Sequence, residues 1–176
     1  MNELIEIGED GRWTAVRARP RCEKRIAEFA RVYGIRHYLP LLRRRRRYQR
    51  RRVETMIPMF PGYLFAQLSE ESLSRLLQCQ KIVRVLRVTD QQERQLVREL
   101  NDVRIVEQAE LEKELEVNPE LVPGISVLIA SGPLQGCHGI VERRDQRTRI
   151  TVNLNLLGSS VSANLDLTEV EIEVNS

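Results

Sequence analysis

The chain has 176 residues, of which 41% are hydrophobic, and its formal net charge is +3. This length and apolar content predict a globular protein of one domain or two small ones. The uncharged apolar stretches are far shorter than the roughly 20 residues of a membrane span, and the acidic start MNELIEIGEDGRW predicts no signal peptide. The three cysteines are an odd number and widely spaced, which predicts reduced thiols in the cytoplasm.

The charge is distributed unevenly along the chain. Residues 1–107 hold 23 Lys and Arg against 14 Asp and Glu, a net charge of +9, whereas residues 108–176 hold 5 against 11, a net charge of −6. Opposite charges in the two halves predict two domains with different roles, or two domains that attract each other. The basic half is the candidate for nucleic-acid binding.

The first predicted elements are a strand and a helix. WTAVRAR (13–19) alternates in polarity as a half-buried strand does, and Trp13 is assigned to the structure rather than to a site. Pro20 suits a first helical turn, and Gly34 suits the end of that helix. The apolar residues between them recur at helical spacing. They are Cys22, Ile26, Phe29, Ala30 and Tyr33.

An arginine run follows a predicted short strand at HYLPL (37–41). Eight arginines fall within residues 43–52. Because like charges repel each other and gain nothing from packing, the run is predicted to be a solvated hairpin loop.

The next elements complete a first domain. YLFAQL (63–68) and IVRVLRV (82–88) are predicted strands, and between them Ser69 caps a helix with an apolar side at Leu73, Leu76 and Leu77. TDQQ (89–92) has the form of a capping box and opens a third helix, which carries Leu96, Val97, Leu100 and Val103. This order predicts an α+β domain over residues 10–107, with an antiparallel sheet and helices packed on it.

The last part of the chain changes in character. Residues 108–120, QAELEKELEVNPE, lack a wide apolar face and predict an acidic linker that is partly helical. From Val122 onward, short strands alternate with turn signals such as SGPLQG and LGSS. Five short strands within residues 121–176 predict a small β-barrel.

Two motifs in this order resemble the NusG family of transcription factors. MFPGYLFAQL (59–68), placed after an arginine-rich loop and an N-terminal W-x-x-V strand, resembles the family's N-terminal domain. PGISVLIASGPLQGCHGIV (123–141) resembles the KOW motif, and LLGSSVSANLDLTEVE (156–171) resembles the closing strands of the SH3-like KOW barrel. The resemblance covers roughly residues 12–174.

The resemblance implies a mechanism. In this family the N-terminal domain docks on the clamp helices of the largest RNA polymerase subunit, touches the gate loop of the second-largest subunit, bridges the cleft over the DNA and suppresses pausing. The KOW domain recruits a termination factor, a ribosomal protein or RNA. The sequence is therefore expected to encode a monomeric elongation or antitermination factor, with no cofactor, metal or membrane partner.

The implied docking surface falls on strand 63–68 and on the third helix. Tyr63 and Phe65 are two residues apart on a strand, so they share one face. A sheet covered by helices on one side leaves its other face available, and exposed aromatics there would form an anchor pair. The alternative is that these aromatics belong to the core. The candidate polymerase-binding residues are Phe60, Tyr63, Phe65, Leu96 and Leu100, and the candidate gate-loop residues are Ser74 and Arg75.

The implied nucleic-acid surface has two parts. In RfaH-like members, basic residues at the end of the first strand and in the first helix contact the non-template DNA strand, and these positions here hold Arg19, Arg21, Lys24 and Arg25. The arginine run fits upstream DNA or nascent RNA, because arginine forks onto phosphate and stacks on bases. Its candidate residues are Arg43, Arg44, Arg45, Arg46, Arg47, Arg50, Arg51 and Arg52. The alternative is that both sets of charges only solvate the surface.

In the KOW segment, the resemblance places partner binding at Leu156 and Leu157, where housekeeping members have an Ile-Phe pair. Ser159 stands where those members have an arginine, so the binding of a termination factor or a ribosomal protein is in doubt. A basic hairpin that includes Arg143 and Arg144 is a candidate for contact with RNA instead. WTAVRARPRCEKR (13–25) resembles the specialised RfaH-like or UpxY-like paralogues, which favours an operon-specific antiterminator.

Other classes of function fit the sequence less well. An enzyme is not expected, because Cys137 and His138 are adjacent, which is poor spacing for a catalytic pair or a metal site. The main alternative is a stand-alone RNA- or ribosome-binding protein, because KOW barrels occur there too. A DNA-binding repressor has no supporting helix-turn-helix pattern.

Overall fold

The computed structural model describes residues 4–48, 51–112, 124, 126–129, 134–144, 147–164 and 172–174. The chain divides into two compact units, Met1–Arg98 and Glu99–Ser176. None of the described helices is long and apolar enough to cross a membrane.

The first unit contains an antiparallel sheet, a separate two-stranded ribbon and two complete helices. A third helix begins in this unit and ends in the second. The elements are β1 Arg12–Ala18, α1 Glu23–Val32, β2 His37–Tyr38, β3 Leu41–Tyr48, β4 Arg51–Pro58, β5 Tyr63–Leu68, α2 Glu70–Leu77, β6 Ile82–Val85 and α3 Asp90–Glu112. The prediction of an α+β fold is therefore confirmed.

The main sheet of the first unit has the strand order β2-β5-β1-β6. Strand β1 pairs antiparallel with β5, from Arg12 opposite Leu68 to Arg17 opposite Tyr63. On its other side it pairs with β6, with an irregularity between Arg17 and Ala18. The predicted strands 13–19 and 63–68 are confirmed, and β6 is shorter than the predicted range 82–88 because regular pairing ends at Val85.

Helix α1 ends as its sequence predicts but begins later. Gly34 has φ 67°, and the amides of Gly34 and Ile35 donate to the carbonyls of Arg31 and Ala30 at 3.2 and 2.8 Å. These two bonds form a Schellman motif, which satisfies carbonyls at the helix end. The helix begins at Glu23, after Cys22, so the prediction that Pro20 occupies its first turn was wrong. Pro20 lies instead in the turn between β1 and α1.

The predicted cap at Ser69 and the predicted capping box at Thr89 are both present, and Ser69 also forms a full capping box. The Ser69 hydroxyl accepts from the Ser72 amide at 3.2 Å, and the Ser72 hydroxyl accepts from the Ser69 amide at 2.8 Å. At the start of α3, Thr89 and Gln92 make the same reciprocal pair at 3.3 and 2.9 Å. Helix α3 continues to Glu112, within the range 108–120 predicted as a partly helical linker; residues 113–120 lie outside the described part.

One face of the main sheet packs against α1 and α2. Leu64, Ala66 and Leu68 of β5 form a buried cluster with residues of β1, α1 and α2, including Ile26 and Leu76. Burying such aliphatic side chains contributes about 1.5–3 kcal/mol each. Leu77 was predicted on the apolar side of α2 but is 49% exposed, because the cluster takes up Leu76 and Leu73 instead. Trp13 is 2% exposed, as its structural assignment required.

The arginine run was predicted to be a solvated hairpin loop; a hairpin is present, but its described residues form paired strands and not a loop. Strands β3 and β4 pair antiparallel in eight steps, from Leu41 opposite Pro58 to Tyr48 opposite Arg51. Apolar residues at the base begin the ladder, and backbone hydrogen bonds extend it through the arginines despite their repulsion. Among the described strands, β3 and β4 pair only with each other. We call this element, residues 41–58, the basic ribbon.

The second unit contains a five-stranded antiparallel sheet in the order β10-β9-β8-β7-β11. Its elements are β7 Ser126–Ile129, β8 His138–Arg144, β9 Arg147–Leu154, a 3₁₀ turn Asn155–Leu157, β10 Ser159–Asn164 and β11 Ile172–Val174. The five predicted short strands are present. Their closure into an SH3-like barrel remains a prediction, and the predicted turn at Gly132 and Pro133 lies outside the described residues.

Candidate functional site

Strand β5 places two predicted docking residues on the face opposite to α1 and α2. Because successive residues of a strand alternate between faces, Leu64 and Ala66 face the buried cluster. Tyr63 and Phe65 therefore share the other face of the sheet, as the sequence predicts.

The expected exposure of the aromatics on this face holds only for Tyr63, which is half-buried. Phe65 and Phe60 are 0% and 3% exposed. The two rings pack edge to face, with centroids 6.2 Å apart and an interplanar angle of 83°. This arrangement suits the ring quadrupoles and makes both side chains part of the core. The expectation that Phe65 forms an exposed anchor pair with Tyr63 is therefore corrected, and Phe60 is not an exposed docking residue either.

The same correction applies to Leu96 and Leu100 on α3. They are 1% and 0% exposed, so neither presents an accessible docking side chain in this structure. The physical reason is the apolar stripe of α3, in which residues three or four apart share one buried face. Its buried members are Leu96, Val97, Leu100, Val103, Val106 and Ala109.

The turn before Tyr63 is fixed by a residue that sequence reasoning missed. Glu23 is 6% exposed, and its carboxylate accepts the amide of Gly62 at 2.6 Å. The Gly62 carbonyl accepts the amide of Ala18 at 2.8 Å, and the Tyr63 amide donates to the Phe60 carbonyl at 3.0 Å. The Pro-Gly turn is thus tied to both α1 and β1. The acid at the first position of α1 was the available signal, since acids favour helix N-termini.

Replacing Glu23 with alanine is expected to lower the free energy of unfolding by about 1–3 kcal/mol, because a buried amide loses its acceptor. Glu23→Gln keeps an oxygen acceptor and is the matched control. Urea unfolding measures the stability, and amide exchange at Gly62 should accelerate in the alanine variant alone. If the alanine and glutamine variants both keep wild-type stability and wild-type amide exchange at Gly62, the Gly62 bond contributes nothing.

Four predicted basic residues form a patch where β1 leads into α1. The side chains of Arg19, Arg21, Lys24 and Arg25 are all exposed. Arg21 has φ 61°, a left-handed conformation that is uncommon for a residue with a β-carbon. The Lys24 ammonium donates to the Met56 carbonyl of the basic ribbon at 2.6 Å. The patch therefore adjoins the base of the ribbon, so the two predicted nucleic-acid surfaces are neighbours.

The basic ribbon carries most of the predicted arginines. Arg43 and Arg44 are exposed in β3, and the Arg43 guanidinium lies 3.8 Å from the Glu54 carboxylate across the ribbon. Arg45, Arg46 and Arg47 continue β3, while Arg51 and Arg52 begin β4. The side chains of those five residues, and all of Arg50, lie outside the described part.

The predicted gate-loop residues lie on α2, and one of them, Arg75, lines a cavity of about 390 Å³. Ser74 and Arg75 are exposed, and Arg75 lines the cavity with its guanidinium 5.7 Å from the centre of the Tyr33 ring. Arg36 also lines it, donating to the Gln67 side chain at 3.1 Å. Sequence reasoning missed Tyr33, Arg36 and Gln67 as neighbours of Arg75, because they come from two other segments, the connection after α1 and strand β5.

In the second unit, Leu156 and Leu157 form the 3₁₀ turn and are half-buried. Glu99 holds the start of this turn by accepting from the Asn155 backbone amide at 3.1 Å and from its side-chain amide at 2.6 Å. Arg143 and Arg144 lie at the end of β8, where Arg144 is opposite Arg147; their side chains lie outside the described part.

The adjacent Cys137 and His138 lack the geometry of a catalytic pair. The buried Cys137 thiol has its pKa raised far above its usual range, by burial and, to a lesser extent, by the Asp102 charge. The thiolate needed for nucleophilic attack is therefore suppressed. His138 contacts Asp102 through its backbone amide at 3.2 Å and its ring Nδ1 at 3.4 Å. Cys137 thus belongs to the core of the second unit, whereas His138 is an exposed residue bound to Asp102.

An N-terminal α+β unit with a basic ribbon, followed by an antiparallel β-sheet unit, has the architecture expected of a two-domain transcription factor. The family model described as transcription termination factor NusG matches residues 11–117. The chain belongs to the NusG family. It is thus a transcription elongation factor in the general sense of that family, whose members are not enzymes.

The solved structures to which the chain is similar are distant in sequence. Thermotoga maritima NusG, from a study of its domain interaction, is 21% identical, with 91% of this chain and 96% of that chain covered and a TM-score of 0.49. Conformation A of the MjSpt4:Spt5 complex is 14% identical, with 93% and 99% covered and a TM-score of 0.29. No curated protein matches the chain. The family assignment rests on the family model.

Proposed function

We propose that this protein is an elongation or antitermination factor that docks on the clamp helices of RNA polymerase, bridges the DNA cleft and suppresses pausing or termination. The observation that supports this most is the NusG match over residues 11–117, because the range includes the Tyr63 face, the basic patch and the basic ribbon. A factor with this role would work in the cytoplasm, beside the polymerase.

Tyr63 is the proposed anchor on the polymerase. It is half-buried at the start of β5, and its backbone is fixed by the Glu23–Gly62 bond and by its own bond to Phe60. A tyrosine held in this way loses little conformational entropy on binding, which is typical of interface hot spots. Phe60, Phe65, Leu96 and Leu100 would contribute directly only after becoming accessible.

The proposed contacts with the gate loop, with DNA and with a further partner follow from where the candidate residues lie. Arg75 and Ser74 would meet the gate loop beside the cavity on α2. The basic patch and the basic ribbon would bind non-template or upstream DNA through phosphates, which gives a salt-sensitive affinity without sequence specificity. The KOW segment would recruit a further partner through Leu156, Leu157, Arg143 and Arg144. The RfaH-like character of residues 13–25 favours a specialised antiterminator.

Tyr63→Ala is the direct test of docking. Its affinity for purified core RNA polymerase, measured by pull-down without nucleic acid, is expected to fall at least about fivefold, more than about 1 kcal/mol. Val32→Ala is the matched control, since Val32 is 64% exposed on α1, which packs on the other face of the sheet. Its affinity should stay at the wild-type level.

Two results would count against the proposal. Wild-type affinity in a folded Tyr63→Ala protein would remove the docking assignment. Tight RNA binding by a wild-type protein that does not bind polymerase would favour the stand-alone RNA- or ribosome-binding alternative.

A further inference from the structure

Two arginines lie beside Tyr63 on the face of the main sheet that carries it. The register sets Tyr63 of β5 opposite Arg17 of β1, and Arg17 opposite Arg84 of β6. Residues directly opposite each other in paired antiparallel strands share a face of the sheet. The three residues therefore form a line across β5, β1 and β6, which we call the arginine–tyrosine row.

The row is the accessible part of strands that are otherwise mostly buried. Between Trp13 and Ala18 of β1, Arg17 is exposed and every other residue is buried. In β5, Tyr63 is half-buried and the residues that follow it are buried. Arg84 is exposed on β6, at the end of the strand order. Because neighbouring strands lie about 4.8 Å apart, a partner that contacts Tyr63 also meets the two arginines.

Neither arginine of the row is neutralised by another described residue. Within the described part of the chain, no ion pair or side-chain hydrogen bond involves the guanidinium group of Arg17 or Arg84. By contrast, Arg12 of the same strand pairs with Asp90 and Glu93. Like charges that face each other across a strand pair are destabilising. The row therefore holds two positive charges that a bound anion would neutralise.

The chemistry of the row indicates the kind of anion. The planar guanidinium group forms two parallel hydrogen bonds with a carboxylate, and tyrosine and arginine are enriched in the hot spots of protein interfaces. Arginine binds phosphate in the same way. However, Tyr63 lies directly opposite Arg17 and is the proposed anchor on the polymerase. The anion that enters beside an engaged Tyr63 therefore belongs to the same protein partner.

We propose that the arginine–tyrosine row is a carboxylate-binding subsite of the docking surface. Tyr63 packs against the clamp helices, while Arg17 and Arg84 hold an acidic side chain of the same helices between them. This inference rests on the proposed function and names the chemistry that the partner presents there. The bound carboxylate neutralises the repulsion between the two arginines, so the charges that weaken the free sheet contribute to docking.

The first test removes one charge at a time from the full-length protein. Arg17→Gln and Arg84→Gln should each weaken binding to purified core RNA polymerase, without nucleic acid, at least about fivefold. The difference from wild type should shrink as salt is added, because salt screens the lost attraction. Arg31→Gln is the control, since Arg31 is exposed on α1, which packs on the other face of the sheet. Its affinity should stay within about twofold of wild type.

Arg84→Glu separates binding from stability. A glutamate at this position faces Arg17 and replaces a pair of like charges with a pair of opposite charges, which stabilises paired strands. The midpoint of urea unfolding should therefore rise. Affinity for the polymerase should nevertheless fall at least about tenfold, because the protein then fills the subsite with its own carboxylate and repels the partner's. A purely structural role would not lower affinity while stability rises.

Three results would overturn the subsite while polymerase docking stands. The first is wild-type affinity in the Arg17 and Arg84 variants when Tyr63→Ala has lost binding. The second is an equal loss in Arg31→Gln, which would indicate a general effect of charge. The third is unchanged affinity for the polymerase with weaker binding to a short DNA duplex, which would assign the row to phosphates. Absence of polymerase binding by the wild-type protein would overturn docking and the subsite together.

Discussion

Replacing Phe65 with alanine is expected to lower the free energy of unfolding by about 3–5 kcal/mol, the usual cost of truncating a buried phenylalanine. The side chain is 0% exposed, and the variant also loses the edge-to-face contact with Phe60. Urea unfolding followed by circular dichroism measures the change. Phe65→Leu keeps most of the apolar volume and should cost less than the alanine variant.

A Phe65→Ala protein within about 1 kcal/mol of wild-type stability would contradict the burial of this ring. If such a protein also failed to bind polymerase, Phe65 would be an exposed anchor, as first expected from the sequence. If the variant unfolds instead, its loss of binding says nothing about docking. Tyr63 is therefore the better probe of polymerase docking. Its side chain is half-buried, so its truncation should damage the fold less.

Replacing Gly11 with alanine is expected to destabilise the first unit strongly. Gly11 has φ 101°, and a β-carbon there would overlap the carbonyl carbon of Leu68 and the amide nitrogen of Ser69, which are backbone atoms that cannot rotate away. Over-packing and backbone strain together predict a loss of about 2–6 kcal/mol. The midpoint of urea unfolding measures it.

Gly34→Ala is the matched control for Gly11→Ala. Gly34 also has a positive φ, 67°, but a β-carbon there would meet nothing within 4 Å. Its cost should be that of the left-handed conformation alone, about 1–2 kcal/mol. Equal losses in the two variants would show that the backbone around Gly11 relaxes to accept a side chain.

The features predicted best from the sequence are those fixed by local bonds. Ser69 forms the expected cap, Thr89 forms the expected capping box, and Gly34 ends α1, because each of these motifs is closed by residues within a few positions of one another. The alternation of β5 likewise predicts which residues share a face. Only the periodicity of a strand is needed for that result.

The failures at Phe65 and at Glu23 involve partners that are distant in sequence, whereas the failure at the arginine run involves a local pairing. Periodicity assigns Phe65 to a face, but its burial depends on neighbours that the sequence does not specify. The arginine run was expected to stay unpaired, because the repulsion between its charges was considered without the backbone hydrogen bonds that pair β3 with β4. Similarly, the hydrogen bond between Glu23 and Gly62 joins residues 39 positions apart, so no local sequence pattern predicts it.

The register of the basic ribbon places Arg47 opposite Arg52, so the stability of the ribbon should depend on salt. Like charges directly opposite each other weaken a strand pair, and added salt shortens the range of that repulsion from about 10 Å at 0.1 M to about 3 Å at 1 M. Salt should thus tighten the free ribbon, although the same salt weakens binding to DNA. Phosphates bound to the ribbon would supply the same screening, so binding and strand pairing should stabilise each other.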